Sequence, residues 1–372
     1  MATSPDALGA QDAQAAAKQE PVAAAMGEGA RPQGSDLDPR LSLTFQKHVK
    51  KKLRTYDAPA PMAPIADTHA HLTCFWGKDP AHALARAALA GDRLLITLLD
   101  PLSDGLGVEE FHDKLEGWIG EARGLVSQAL EQGALAGRFD GAYAELNDPD
   151  LLFSRIRYLA GVHPYGAAEY TDVQQTQLEQ ALADPLCAGI GEIGLDYHFD
   201  AVDNVEVAPH DLQIACLERQ LALAVERDVP VELHLRHEDG DESRESHEDA
   251  YRVLKNVGLP RAGCVLHCFG EDRATMERFV ELGCHIAFGG VATFRRNEQV
   301  REAFAACPRD RILFETDCPY MAPEPLRGSE CEPAMITFTV DALVRDRANR
   351  TGEDPREIAA AAWANARQLF GL

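Results

Sequence analysis

No stretch of this chain approaches the roughly 18 consecutive apolar residues that a membrane-spanning helix needs, so a soluble protein is expected. The first thirty residues are Ala-rich but broken by Asp6, Asp12, Lys18 and Glu20, and they lack a basic start followed by an apolar run. A secretory signal is therefore not expected. The nine cysteines are scattered, odd in number and form no C-x-x-C, which excludes a zinc knuckle and argues against a disulfide framework. Reduced thiols in a cytoplasmic setting are the expectation. Basic charge is also short: 36 Lys+Arg stand against 60 Asp+Glu, a formal net charge of −24. A dedicated nucleic-acid-binding module would carry a basic face, so that class is disfavoured at this stage. Nothing resembles the G-x-G-x-x-G phosphate loop of a doubly wound dinucleotide fold.

What is present is enough apolar material, 45% of 372 residues, to bury a large core. Residues 1–40 contain almost no large apolar side chain and are expected to be a disordered tail. Residues 41–64 form a basic piece, LSLTFQKHVKKKLR, expected to be helical, and a Pro-rich linker, DAPAPMAP. From 65 to 372 the texture changes. Eight β-branched or apolar runs, beginning with IADTHAHL (65–72) and RLLITLLD (93–100) and ending with RILFETDCP (311–319), alternate with amphipathic segments. Such alternation implies parallel strands, and eight units in about 300 residues imply a (β/α)8 TIM barrel. A helical insertion at about 104–153 separates the second and third strands. The chain closes with a helix in which Asp354 is the expected cap, Pro355 the first helical residue and Glu357 the partner completing a capping box.

Active sites of such barrels lie at the carboxyl ends of the strands, so polar residues there carry the information. The first strand ends in Asp67-Thr68-His69-Ala70-His71, and alternation turns both imidazoles the same way. The fourth run carries Glu192, the fifth His234, the sixth His267 and the eighth Asp317. Burying four imidazoles and two carboxylates unpaired would cost several kcal/mol each, and a shared metal centre removes that cost. Six donors exceed what one catalytic ion takes while keeping an open position, so two divalent ions (Mg, Mn or Zn) are expected.

The segments DTHAHL, GVHP, GEIGLDY, VPVELHLR, LHCFG, ETDCPYMAP and NARQLF resemble, in order, the TatD family of metal-dependent hydrolases and deoxyribonucleases. GEIGLDY and ETDCPYMAP are the specific elements; H-x-H is shared with amidohydrolases generally. The resemblance implies one ion on His69, His71, Glu192 and Asp317, with a second on bridging Glu192, His234 and His267. It also implies phosphodiester hydrolysis at DNA ends, with DNA or nucleotide phosphodiesters as substrate. Glu192 takes the place of the carbamylated lysine of many amidohydrolases. Asp317 is the expected general base, with Glu192 the second catalytic residue.

Around these stand substrate-binding candidates: His163 and Tyr165 in GVHPYG, Asp196 in GLDY, Arg236 two residues after His234, Arg295 after the seventh run and Arg327 in PLRGSECEP. The family more often has histidine where Tyr165 stands and asparagine where Cys331 stands. The segment 237–249 carries seven acids. As a solvated loop it is neutral for function; beside the site it would favour short substrates over long polyanions. Two alternatives remain, a hydrolase of a small amide, ester or lactone and a non-catalytic binding barrel. No obligate protein partner is implied. Residues 1–66 carry eight basic and seven acidic side chains, so the acidity belongs to the barrel.

Overall fold

The computed structural model describes residues 38–139, 141–199 and 207–372; most of the expected tail, 1–37, lies outside them. Residues 38–40 of that expected tail are instead ordered. Asp38 caps a 3-10 turn over Pro39–Leu41, and Leu41 is buried against the barrel.

The basic piece is a β-hairpin, not a helix. Strand β1 (Thr44–Val49) pairs antiparallel with β2 (Lys52–Asp57), and Val49 faces Lys52 across a two-residue turn. Lys50 and Lys51 both take left-handed φ, +47° and +68°, as the favoured hairpin turn requires. Phe45, Lys47 and Val49 are the more buried residues of β1 and Thr44, Gln46 and His48 are exposed, a period of two that docking on the barrel imposes over the helix propensity of the lysines. Phe45 anchors the hairpin. It is buried edge-on against Phe338, with ring centroids 5.6 Å apart, and the Arg86 guanidinium lies over its ring. The Pro-rich stretch is laid onto the barrel, with Ala58, Ala63 and Pro64 buried.

All eight expected runs are strands: β3 (Ile65–Ala70), β4 (Asp92–Leu99), β5 (Ile156–Ala160), β6 (Cys187–Asp196), β7 (Val231–Arg236), β8 (Cys264–Leu266), β9 (His285–Phe288) and β10 (Ile312–Phe314). They pair in parallel in chain order. A parallel bridge between Ala70 and Cys318 brings the first strand to the last. Two backbone bonds strengthen this seam, Asp317 N–H to His69 O at 2.9 Å and His71 N–H to Cys318 O at 2.8 Å. The result is a TIM barrel whose closure runs through the residues of interest.

The insertion at 104–153 is built from helix α1 (Val108–Glu131), a 3-10 turn over Ala144–Asn147 and a short helix, α2 (Asp150–Ser154). Phe111, Leu115, Ile119, Ala122, Val126 and Ala129 form the buried stripe of α1, and the Phe111 and Tyr158 rings meet at 5.0 Å. This long helix thereby serves as the crossover between β4 and β5. The terminal helix α3 (Pro355–Phe370) is capped by Asp354, which accepts from the Arg356 amide at 2.8 Å. Glu357 bonds Arg309 at 2.8 Å in place of the expected capping box, because that guanidinium offers its carboxylate a charged donor. Trp363, Leu369 and Phe370 of α3 pack with Leu94, Ile96, Leu159 and Leu313 and plug the amino end of the barrel. Only the carboxyl end remains for a site.

Phe45→Ala should undock the hairpin, since burying a phenyl ring is worth about 3 kcal/mol. Amide exchange over 44–57 should accelerate by on the order of a hundredfold with the strand amides of the barrel unchanged; equal rates would show that Phe45 does not anchor it.

Candidate metal centre

At the carboxyl end, the two oxygens of Glu192 face two separate groups of ring nitrogens. Oε2 lies 3.7 Å from Nε2 of both His69 and His71. Oε1 lies 2.7 Å from His234 Nδ1, 2.9 Å from His267 Nε2 and 3.9 Å from His163 Nε2. Asp317 Oδ1 completes the first group, 3.8 Å from His69 Nε2 and 3.6 Å from His71 Nε2. The first strand places His69 and His71 on one face, and their Nε2 atoms approach to 2.9 Å. Asp317 joins them because its φ of +56° turns the chain back at the seam. The backbone around Glu192 is fitted to close strand approach. Gly194 has φ +153°, and any Cβ there would strike the His234 carbonyl.

A layer of carboxylates beneath orients the imidazoles. Glu232 Oε1 accepts from His69 Nδ1 at 2.7 Å, which leaves the His69 Nε2 lone pair aimed into the site. Asp196 Oδ2 lies 3.1 Å from His234 Nε2 and leaves Nδ1 facing Glu192. Glu315 Oε1 lies 3.7 Å from His267 Nδ1 and accepts from the Cys268 amide at 2.5 Å. Asp67 holds the seam by accepting from the Thr316 amide and hydroxyl, at 2.9 and 2.6 Å. Sequence reading missed Asp67, Glu232 and Glu315 as functional residues. Each stands two positions before His69, His234 or Asp317 on the same strand face, and that spacing is the signal that could have found them.

The electrostatics follow this arrangement. Burial pushes the Glu192 carboxyl up, but His267 and His234 override it and hold the group well below the usual range. Asp317 is likewise depressed, against its burial, by the hydrogen bond from His71 and the charge of His267. Burial and the stacked His267 ring, 3.9 Å away, lower His69 to about 3. His234 goes the other way: burial opposes its charge, yet Asp196 and Glu192 raise it to about 9. Burial raises Glu232 to about 8.

Nitrogen and carboxylate donors with ordered tautomers and converging lone pairs fit a Lewis acid of the Zn or Mn type. His69, His71, Glu192 and Asp317 could hold one cation, and Glu192, His234 and His267 another. A group made by His163, Asp196 and His234 also lies close enough to share a cation.

Of the other expected residues, His163 reaches the cluster as the cap of a 3-10 turn and accepts from the Tyr165 amide at 3.2 Å. Tyr165 packs on its ring at 4.4 Å. Asp196 acts on His234, not outward. Arg236 lies beside Asp196 in register, and its guanidinium makes no ion pair with a described residue. Arg295 is exposed on the loop after β9, and Arg327 lies over the Phe294 ring at 4.3 Å. The acidic segment is partly ordered by its own charges. Asp241 accepts from the amides of Ser243 and Glu245, while Arg244 binds Glu271 and Asp272.

A parallel barrel with such a cluster at its carboxyl mouth defines a metal-dependent hydrolase. A profile of the TatD related DNase family matches residues 66–371. The chain is 29% identical over 272 residues to the uncharacterized metal-dependent hydrolase YabD of Bacillus subtilis, covering 72% of this chain and 96% of that protein. It is 34% identical over 218 residues to the 3′-5′ ssDNA/RNA exonuclease TatD of Erwinia amylovora, covering 57% and 77%. The crystal structure of the TatD homologue YjjV from Escherichia coli superposes with a TM-score of 0.60 at 27% identity, covering 84% of this chain and 100% of the other. The chain belongs to the TatD related DNase family and is a metal-dependent hydrolase.

Placing a divalent cation beside His234 requires removal of the proton that Asp196 and Glu192 hold there. In chelated protein, charged His234 stabilises the fold below its ordinary 6.5 and ceases to do so as pH rises through about 9. Cation affinity should therefore climb with pH across that window, with proton release near neutrality. Calorimetric titration in buffers of different ionisation enthalpy checks this; buffer-independent heats would contradict it.

Proposed function

We propose that the protein is a divalent-metal-dependent deoxyribonuclease that hydrolyses phosphodiester bonds at the ends of single-stranded DNA, using two cations that share Glu192. The observation that carries the reading is the split of the Glu192 carboxylate, with one oxygen toward His69 and His71 and the other toward His234 and His267. The name of the Erwinia relative, an ssDNA/RNA exonuclease, supports the substrate class. The mouth adds a second support. Tyr320, 43% exposed, lies 6.0 Å from the His71 ring and 6.1 Å from Trp76, itself 50% exposed. Unstacked bases find such aromatic faces favourable by about 1–3 kcal/mol each. The amides of Trp76 and Gly77 both donate to Glu330 Oε1, at 2.8 and 2.9 Å, so this aromatic pair is held in place before substrate arrives.

Bound divalent cations supply Lewis-acid charge for the phosphoryl group and lower the pKa of water in the site. The chain does the rest. Asp317 uses Oδ1 toward the histidines, while Oδ2 receives only the weak Cys268 thiol donor at 3.4 Å and is free to take a proton. His163, lowered to about 3 by burial and the neighbouring His234, is neutral. Its Nδ1 accepts from the Tyr165 amide, so Nε2 carries the hydrogen and can donate to a phosphoryl oxygen. Arg236 supplies a guanidinium for the scissile or adjacent phosphate. Asp196 positions His234 and does not touch substrate. Arg295 and Arg327 fall outside this inner set. A cytoplasmic setting fits the nine free cysteines. Among the described residues no helix is long and apolar enough to cross a membrane.

Chelator-stripped protein, reloaded with Mg, Mn or Zn, should release nucleotides from a 3′-ended oligonucleotide and leave amide and lactone panels untouched. Asp317→Asn should lower kcat by roughly 10²–10⁴ with most of the bound metal retained, since the base is lost and one oxygen ligand remains. Glu192→Ala should lose metal and activity together. Turnover confined to the neutral panel would overturn the reading.

A further inference from the structure

The 44–57 hairpin lies outside the family match, which begins at residue 66, and it reverses the charge of the chain. It carries Lys47, Lys50, Lys51, Lys52 and Arg54 against one acid, Asp57, on a chain with net charge −24. Lys50, Lys51, Lys52 and Arg54 are exposed, and none forms an ion pair with a described residue. Three exposed arginines elsewhere are neutralised, Arg123 by Asp150, Arg261 by Asp228 and Arg350 by Asp346. Lysine is also an expensive choice at the turn, where Asn-Gly would take the left-handed φ values with less strain.

The hairpin sits beside the mouth. Opposite residues of an antiparallel pair share a face, so Phe45, Lys47 and Val49 lie with Tyr56, Arg54 and Lys52. Phe45 binds this face to the barrel, and the Lys47 ammonium caps the Pro325 and Arg327 carbonyls on the loop after β10. The same loop carries Tyr320 and the Glu330 carboxylate that fixes Trp76. Contacts therefore lead from His71 to Tyr320 and Trp76, from Trp76 to Glu330, and from the 325–327 carbonyls of the same loop to Lys47, whose strand face also carries Arg54 and Lys52. The acids of 237–249 follow β7, away from this side of the barrel order.

We propose that the hairpin is a phosphate-binding arm that holds the single-stranded nucleic acid leaving the metal cluster across the loop after β10. This rests on the nucleic-acid reading of the site. The aromatic pair takes the first bases, and Lys50, Lys51, Lys52 and Arg54 take the backbone beyond them. The arm offsets locally the repulsion that an acidic barrel exerts on a polyanion.

The test uses the full metal-loaded chain and a variant with Lys50→Ala, Lys51→Ala, Lys52→Ala and Arg54→Ala, beside a second variant, Lys52→Gln with Arg54→Gln. Substrates are an oligothymidylate of about 20 nucleotides and a thymidylate dinucleotide too short to reach the arm. For the long substrate, KM should rise roughly tenfold in the fourfold variant and less in the double one, with kcat unchanged. The dependence of log kcat/KM on log salt should flatten by about 0.7 for each phosphate that the arm no longer neutralises. Dinucleotide kinetics should not move. Equal KM values on the long substrate, or equal losses on both substrates, would overturn the arm. So would a change in sedimentation without a change in KM, which would mark the hairpin as an interface between copies of the chain. If the unaltered protein hydrolyses no nucleic acid, the reaction proposed above fails. The arm is then judged by equilibrium binding of the labelled long oligonucleotide, which the fourfold variant must weaken in a salt-dependent way.

Discussion

Burying a carboxylate at the mouth of an apolar barrel is the constraint on which this structure depends. Glu192 and Asp317 are both nearly inaccessible, and an unpaired charge in such a place costs several kcal/mol. The fold meets that cost with imidazoles, four of them drawn from the ends of three strands around one glutamate and one aspartate. Imidazole is well suited to the task because it can be neutral or charged. Burial and the stacked His267 hold His69 neutral, while Asp196 and Glu192 hold His234 protonated. The same flexibility leaves the imidazoles able to release a proton to solvent when a cation takes its place.

Barrel closure converts this constraint into geometry. His69 and His71 belong to the first strand and Asp317 to the last, so they meet only because the seam brings Ala70 to Cys318. Asp67 and Thr316 lock that seam. Below the mouth, Glu232 and Glu315 set the ring orientations, and below them the apolar layer of Leu94, Ile96 and Leu313 is sealed by the terminal helix. Stability is concentrated at the amino end and polar strain at the carboxyl end, the usual division of labour in this fold.

Much of this is legible in the chain. All eight strands fall on the apolar runs, because a parallel strand buried on both faces must be apolar throughout, which makes a polar residue at its end conspicuous. The six residues expected as ligands stand out for that reason, and their side chains converge. The hairpin is not: a run such as KHVKKKLR has good helix formers, and its strand character comes from Phe45 docking on Phe338, a residue far along the chain that no local pattern contains. The carboxylates under the histidines are hidden because a glutamate in VELHL reads as one more polar residue near a strand end. Arg327 stands out by its motif alone, and its packing on Phe294 reflects tertiary neighbours. The expected capping box fails at Glu357 for the same reason, since Arg309 reaches its carboxylate from another part of the chain.

The excess of acid is confined to the barrel and its rim, while cations at the mouth and the basic hairpin would supply positive charge where a polyanion must pass. That account stands or falls on the proposed sharing of Glu192. Anomalous diffraction from crystals of the manganese-loaded protein tests it most directly. It should show two peaks flanking the Glu192 carboxylate, one among His69, His71 and Asp317 and the other between His234 and His267. A single peak, or peaks away from Glu192, would contradict the central claim.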